Sequence, residues 1–572
     1  MIQELARIFN EIGLLLEIKG ENPFKARAYY NAARLLDNLT PDQQQLINEG
    51  KIGELPGFGA ALAQKVLEWQ ATGTIVSYEE LKASIPPGLP ELLKVPGLGA
   101  KKLNLLYSKL GITMLEQLEE ACRQNRLIGL PGFGAKTQAK LLAGVEFIKE
   151  QRGQYLLAEV AAAAHQLLGQ LSQCPGVVQA ELAGSLRRRN EVVRNVDLVA
   201  AAAEPAAVVS SFINLPDVAT TVASSPAAAT VNLRSGVRCN LRVVKPEAYP
   251  YALLYFTGSC AHNTALRRYA AELGFELTES GLSQGDALSN CRDEAELYQR
   301  LQMAYIPPEL REGQGEIEAA RDNRLPQLVR PEDLQGVFHV HTNYSDGVNS
   351  LREMVEAAIE LGYKYLGVAD HSRTAVYAHG LQEAALKRQF AEIDALNREY
   401  PGFRIFKGIE SEILPNGDLD YPSELLAEFD LVIGSVHSQF GMGKTEMTAR
   451  LLKALDNPYL TILGHPTGRI LLQRPGYELD LEAVIAKAAE KRVIIEFNAN
   501  PYRYDLDWRW CRQAREAGVL IAVNPDAHST AELAFARSGL AVAIKGWLQQ
   551  QDIFNTRPAA EIQLYLEKHR SK

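Results

Sequence analysis

The spacing of apolar and polar residues changes twice along the chain. Over residues 1–150 apolar positions recur at helical intervals in short runs, and Pro-Gly pairs stop several of the runs. This predicts a bundle of short amphipathic helices. Over 151–320 an Ala-rich helical stretch gives way to VVQAELAGSLRRR, VVRNVDLVAAA and VRCNLRVVK, which predict helices packed on a mixed or antiparallel sheet. Residues 321–335 are polar, carry Pro326 and Pro331, and predict a linker. Over 336–572, β-rich runs alternate with helical stretches: VFHVHT, YLGVADH, RIFKGIESEI, LVIGSVHS, LTILGHPT, VIIEFNAN and LIAVNPDAH. Strand then helix, repeated about seven times, predicts a parallel α/β barrel.

One pattern recurs in the helical region: LPGFGAALAQKV at Leu55–Val66, VPGLGAKKLNLL at Val95–Leu106 and LPGFGAKTQAKLL at Leu130–Leu142. The copies are about 35–40 residues apart, the scale of repeated supersecondary units. In each, an apolar residue and Pro-Gly-x-Gly lead straight into a helix. The glycine pairs Gly57 and Gly59, Gly97 and Gly99, and Gly132 and Gly134 allow a tight turn and leave amide hydrogens uncovered at a helix N-terminus. The plain alternative is three helix-connecting turns. The repeated signature resembles the helix-hairpin-helix motif, which grips a DNA backbone without reading its sequence.

Composition narrows the class. A chain of 572 residues exceeds one hydrophobic core, and 47% hydrophobic with 23% charged residues is ordinary for a globular protein. Six scattered cysteines form no CxxC pair, which speaks for reduced thiols in a cytoplasmic setting and against a disulfide framework or a zinc ribbon. The N-terminus is amphipathic and early acidic, unlike a secretory signal, and no apolar run reaches the roughly 20 residues of a membrane span. The net charge of −9 disfavours a passive nucleic-acid coat. An enzyme that holds phosphate through backbone amides and metals remains open, because such contacts leave little trace in net charge.

The chemistry concentrates in the barrel. Of ten histidines, six stand at ends of predicted strands: His339, His341, His371, His437, His465 and His528. Asp346, Glu410 and Asp526 lie among them. A lone histidine there is more often a satisfied core or surface residue, but the C-terminal strand ends of such barrels carry the chemistry. Clustered imidazoles and carboxylates are costly to bury unless a divalent metal satisfies them together. Nitrogen and oxygen donors without thiolate suit zinc, manganese or iron. His339 and His341 alternate on one predicted strand, so both rings should point to one face.

HVHTNYSDG, ADHS, GIES, GSVHS, GHPT and DAH, in this order, resemble the PHP (polymerase and histidinol phosphatase) family. The resemblance implies a distorted α/β barrel with a three-metal centre. By motif its ligands would be His339, His341, Asp346, His371, Glu410, His437, His465, Asp526 and His528. Val337 stands where many members carry an acid, with no ligand loss expected. Such ions activate water and offset phosphate charge, so no protein nucleophile is needed. Asp370 could support a ligand or lie at the surface. Arg373, Lys444, Arg469, Arg474 and Arg503 could hold phosphate, or be solvated surface charges.

AGSLRRRNEVVRNVDLV, CNLRVV, YFTGSCAHNTALRR and YIPPELREGQGEIEAA resemble the palm, fingers and junction of family X DNA polymerases with a C-terminal PHP domain. The likeness spans essentially the whole chain: an all-α region with helix-hairpin-helix repeats, an α+β nucleotidyltransferase palm and the barrel. It implies that Gly184, Ser185 and Arg188 meet a triphosphate, and that Tyr255, Phe256, Gly258 and Asn263 shape the nucleotide pocket. The family's three catalytic acids are here Asn195, Asp197 and Asn240. Two Mg²⁺ ions need bridging anionic oxygen, and one acid serves them poorly. Arg194 would worsen the site if it points inward. Templated synthesis is therefore expected to be lost or very weak. Lys65 falls where members with deoxyribose-phosphate lyase activity carry their Schiff-base lysine; the alternative is a solvent-facing lysine on a DNA-binding helix.

The resemblance implies 3′→5′ exonuclease and abasic-site or 3′-end processing, stimulated by Mn²⁺, on gapped, nicked or 3′-recessed DNA. A cytoplasmic monomer is expected, with a dNTP as a further candidate ligand. Two readings compete with it. One is a working gap-filling polymerase with a PHP exonuclease, and the other is a DNA-binding scaffold with slow phosphatase activity towards small monoesters.

Overall fold

The computed structural model describes residues 2–570 except Asn38, Thr40, Pro56 and Gly57. The chain forms two compact units, a helical one over Met1–Arg152 and an α/β one that takes in most of the remainder. The helical unit buries a core of aliphatic and aromatic side chains, among them Phe9, Leu62, Leu103 and Leu141. The described residues flanking its three Pro-Gly pairs share one hydrogen bond. Phe58, Leu98 and Phe133 each donate a backbone hydrogen bond to the apolar residue three before, and each side chain is buried.

In the α/β unit a five-stranded sheet forms the palm. Its spatial order is Val177–Ala183, Asn195–Ala202, Arg238–Val244, Ala228–Leu233 and Val218–Ser225, antiparallel except for the Asn195–Ala202/Arg238–Val244 pair. Helices Tyr249–Thr257 and Cys260–Glu272 and a small three-stranded sheet follow it.

The barrel has eight parallel strands. Gly336–Val340, Tyr365–Val368 and Arg404–Phe406 form one run. Gly408–Glu412, Leu431–Ser435, Ile462–Leu463, Ile494–Asn498 and Ile521–Asn524 form the other. Single bridges join them, His371 to Glu410 and Val340 to Ala527, so the ring closes irregularly. The segment RIFKGIESEI makes two strands rather than one. The chain breaks at Lys407, whose carbonyl accepts from Asp430 and Leu431, and a Cβ at Gly408 would stand 2.2 Å from the Val368 oxygen. The barrel floor is aromatic: Phe338 packs on Tyr365 and Phe554 at 5.4 Å each.

Residues 321–335 are not free chain. Val329 and Leu334 are buried in a core shared by palm and barrel, while Leu328 packs against the helices after the palm. A polar average had hidden these three apolar anchors. Among the described residues no helix is long and apolar enough to cross a membrane.

Candidate metal centre

All nine candidate ligands come together at the C-terminal rim of the barrel. His339 and His341 flank the end of the first strand, His371 follows the second, Glu410 lies within the fourth, and His437 and His465 follow the fifth and sixth. Asp526 and His528 follow the eighth, and Asp346 sits in the loop after the first. The nine residues fall into four overlapping groups, within each of which the donor atoms lie within 4.8 Å of one another.

Glu410 is the hub. Its Oε1 is 3.2 Å from His339 Nε2, 3.2 Å from His437 Nε2 and 3.0 Å from His465 Nε2. Its Oε2 is 2.9 Å from His371 Nδ1 and 3.7 Å from His341 Nε2. Asp526 Oδ1 stands 3.3 Å from His341 Nε2 and 3.5 Å from His339 Nε2. Asp346 Oδ1 stands 3.4 Å from His528 Nε2 and 3.7 Å from His371 Nε2. His339, His341 and Glu410 are almost completely buried, as is His465.

The pairing of His339 and His341 differs from simple strand alternation. The register shifts between Val337 and Val340, and His339 adopts a left-handed backbone with φ 58°. His465 (φ 22°) and Asp526 (φ 52°) share that strained region. Such residues cost on the order of 1–3 kcal/mol each and persist where surrounding structure over-determines them. Three of nine candidate ligands are thus set by bulges and turns at strand ends.

The donor set fits divalent cations. His339 Nε2, both ring nitrogens of His341, His371 Nδ1 and His465 Nδ1 are buried without a hydrogen-bond partner. Orphaned acceptors around shared carboxylates are what a bound cation would satisfy. Burial raises the Glu410 carboxyl, but the His437, His339 and His371 rings reverse this and hold it well below its ordinary range. Burial and the neighbouring His528 and His371 push His341 down to about 3. His437 and His528 rise to about 9 despite burial, through Glu410 and Glu412 for the first and Asp346 and Asp526 for the second.

Sequence reasoning missed the carboxylates behind this cage. Glu496, fully buried, lies 2.7 Å from His339 Nδ1 and accepts from the His465 amide at 2.8 Å. Glu412 lies 2.9 Å from His437 Nδ1 and pairs with buried Arg450. The available signals were an acid inside the apolar run VIIEF and a second acid two residues after Glu410. Asp370 is not a surface acid. Fully buried, it accepts from the Thr342 amide at 2.8 Å and from Ser345, and so braces the loop that carries Asp346. Of the basic residues considered, Arg503 reaches the cage, 3.3 Å from Asp526 Oδ2. Arg373 pairs with Asp420, Lys444 lies 3.8 Å from Asp480, and Arg469 is committed to Asp507. Arg474 lies in the loop after the sixth strand.

In the palm, Asp197 and Asn240 are register partners, and Asn195 lies two residues before Asp197 on the same face. The Asn240 amide donates to Asp197 Oδ1 at 2.9 Å, and Thr230 donates to Asn240 Oδ1 at 3.1 Å. Gly184 has φ 59°, and a Cβ there would come within 2.1 Å of Asp197 Oδ2. Ser185 follows in the same helical turn. Arg194 is exposed. Arg188 donates to Glu312 at 3.1 Å and to the Thr257 carbonyl, beside Gly258. Lys545 from the barrel donates to the Arg188 carbonyl at 2.7 Å and to Glu312 at 2.6 Å. Tyr255 and Phe256 meet edge to face, and Asn263 donates to the Tyr255 carbonyl at 2.7 Å.

Gly59, Gly99 and Gly134 each precede a helix, Ala60–Thr72, Ala100–Leu110 and Ala135–Gln151, with extended backbone and no side-chain cap. Gly97 and Gly132 have φ of 84° and 82°, and a Cβ at any of these five glycines would meet open space. Gly57 lies outside the described residues. Lys65 is half-buried, with its ammonium on Ser77 Oγ.

Four family models match the chain: a helix-hairpin-helix domain over residues 3–75, a SAM-like helix-hairpin-helix tandem over 89–146, the DNA polymerase beta thumb over 252–312 and the PHP domain over 338–563. The DNA polymerase/3'-5' exonuclease PolX of Bacillus subtilis (strain 168) is 36% identical over 571 residues, 99% of each chain. A probable phosphatase of Clostridium acetobutylicum is 31% identical over 201 residues, 33% of this chain and 78% of its own. One from Thermoanaerobacter pseudethanolicus is 27% identical over 245 residues, 41% and 95% respectively. With a relative 36% identical over 99% of each chain, and with helix-hairpin-helix, polymerase beta thumb and PHP models matched in order, this chain belongs to the bacterial PolX family.

Proposed function

We propose that this chain is a metal-dependent 3′→5′ exonuclease acting on gapped, nicked or 3′-recessed DNA, with a palm that holds DNA and synthesises little or none. The observation that carries the reading is the rim of nine nitrogen and oxygen donors around Glu410 and Asp526, with buried ring nitrogens that make no hydrogen bond among the described residues. The name of the Bacillus subtilis relative supports the substrate and polarity. Three zinc, manganese or iron ions held there would lower the pKa of an attacking water and offset charge on the phosphate oxygens. Glu496 and Glu412 engage Nδ1 of His339 and His437, so that each Nε2 faces inward as a donor. Arg503, beside Asp526, is the cation best placed for a phosphate oxygen. We read the chain as a cytoplasmic monomer.

A 5′-labelled gapped duplex tests this. After chelation and Mn²⁺ reloading, a ladder of single-nucleotide shortening is expected. The His339→Ala variant should give none, and cleavage untouched by chelator would refute the reading. Faster turnover of a free phosphate monoester than of DNA would favour the scaffold-phosphatase alternative.

The palm half of the proposal rests on the Asn240–Asp197 hydrogen bond. The one remaining acid already accepts from an amide where the polymerase chemistry needs a second carboxylate, and a neutral amide does not offset repulsion between two Mg²⁺ ions. Arg188, the candidate triphosphate contact, is bound to Glu312 and Thr257. DNA binding, and weak dNTP binding, survive in this reading. Primer extension with Mg²⁺ or Mn²⁺ should show no robust template-directed incorporation; robust incorporation would overturn it.

A further inference from the structure

Two side chains at the mouth of the cage have no part in holding metal. Val376 and Tyr377 are 79% and 68% exposed, the most exposed large apolar side chains among the described residues of the barrel. The Tyr377 ring centre lies 6.1 Å from that of His371 and 6.5 Å from that of His437, so the ring stands against the metal site and not in remote solvent.

The loop that carries them is firmly tied. Val376–Ala378 is a single 3-10 turn between Ser372 and Leu381, which bridge to each other. Asp420, 1% exposed, accepts from the Thr374 amide at 2.8 Å, from its hydroxyl at 3.0 Å and from Arg373 at 3.3 Å. The Tyr421 hydroxyl donates to the Leu381 carbonyl. A Cβ at Gly380 would stand 1.9 Å from the Ser372 oxygen, so the loop returns along a path that only glycine permits. A fixed loop that keeps a valine and a tyrosine in water forgoes burial that a small rearrangement would gain. Their use is therefore to be sought in a ligand.

We propose that Tyr377, backed by Val376, is the platform on which the 3′-terminal nucleobase stacks while its phosphodiester lies in the cage. The inference rests on the exonuclease reading above and adds a specificity element to it. The cage and Arg503 supply everything a phosphate needs and nothing that contacts a base; the neutral, planar, apolar surface at its edge supplies the complement. Every base has a π-face, so the platform reads no sequence but requires that a base be present. It separates nucleotide ends from small phosphates and from ends that have lost their base.

Two 5′-labelled oligonucleotides that differ only in the last residue, thymidine or a tetrahydrofuran abasic analogue, test this on the full-length Mn²⁺-loaded protein. The wild type should prefer the base-bearing end in kcat/KM. Tyr377→Ala should lower that preference by roughly 5- to 150-fold, and Tyr377→Phe should keep it to within about twofold. An unchanged preference in Tyr377→Ala, or equal losses on both ends, would overturn the platform. Binding is read separately with 2-aminopurine at the 3′ end, whose fluorescence should be quenched by wild type and Tyr377→Phe but not by Tyr377→Ala. If the wild type cleaves neither end, the exonuclease reading fails, and equal quenching by all three proteins sinks the platform itself.

Discussion

Glu496 donates nothing into the cage, yet it holds the His339 ring and the His465 backbone at once, with Asn498 and Asn524 donating to its oxygens. Replacing it by glutamine keeps the shape and removes the charge that fixes the His339 tautomer. We expect Glu496→Gln to lower metal affinity by roughly 10- to 100-fold, read by metal content after graded dialysis; unchanged retention would dismiss this role. The nine donors were legible because histidines and acids at strand ends form recognisable short motifs. Glu496 and Asp370 were not, because a buried acid is defined by its partners across the barrel, which no local spacing reveals. The double variant Asn195→Asp, Asn240→Asp should gain Mg²⁺-dependent primer extension, and no gain would mean that the two amides are not what blocks synthesis. Lys65 spends its ammonium on Ser77, so borohydride should trap no Lys65-dependent adduct on an incised abasic site; a trapped adduct would establish lyase chemistry.

At the scale of elements, the hairpins separate two uses of glycine that look alike in the sequence. Gly97 and Gly132 hold positive φ, so a side chain there strains the turn. Gly99 and Gly134 have ordinary extended backbone beside open space, so a side chain there covers the helix N-terminus without disturbing the fold. The pair Gly99→Val, Gly134→Val should weaken DNA binding by about 3- to 30-fold at an unchanged melting temperature. Equal loss of stability would mean that the glycines serve packing alone. The barrel strands were readable from their β-rich runs, but the division of RIFKGIESEI was not, since the break depends on Asp430 capturing the Lys407 carbonyl. The stretch 321–335 likewise looks like a linker only until Val329 and Leu334 are seen in the core.

At the scale of the whole molecule, palm and barrel share one hydrophobic core and a set of buried polar ties. Glu191 of the palm accepts from Trp508 at 2.9 Å and pairs with Arg509 at 2.7 Å. Lys545, fully buried, pairs with Glu312. Removing Lys545 leaves Glu312 with Arg188 alone and the Arg188 carbonyl without its donor, so Lys545→Ala should cost about 1–3 kcal/mol in chemical denaturation. A loss below about 1 kcal/mol would show that the tie is peripheral.

The shared core also bears on why a palm that carries Asn195 and Asn240 beside Asp197 keeps its full sheet. Exchanging a carboxylate for its amide alters charge and almost nothing in volume, so chemistry can lapse while the scaffold stays whole. Losing the domain itself would strip Trp508 and Lys545 of their partners Glu191 and the Arg188 carbonyl. On the reading proposed above, the palm serves the barrel as masonry.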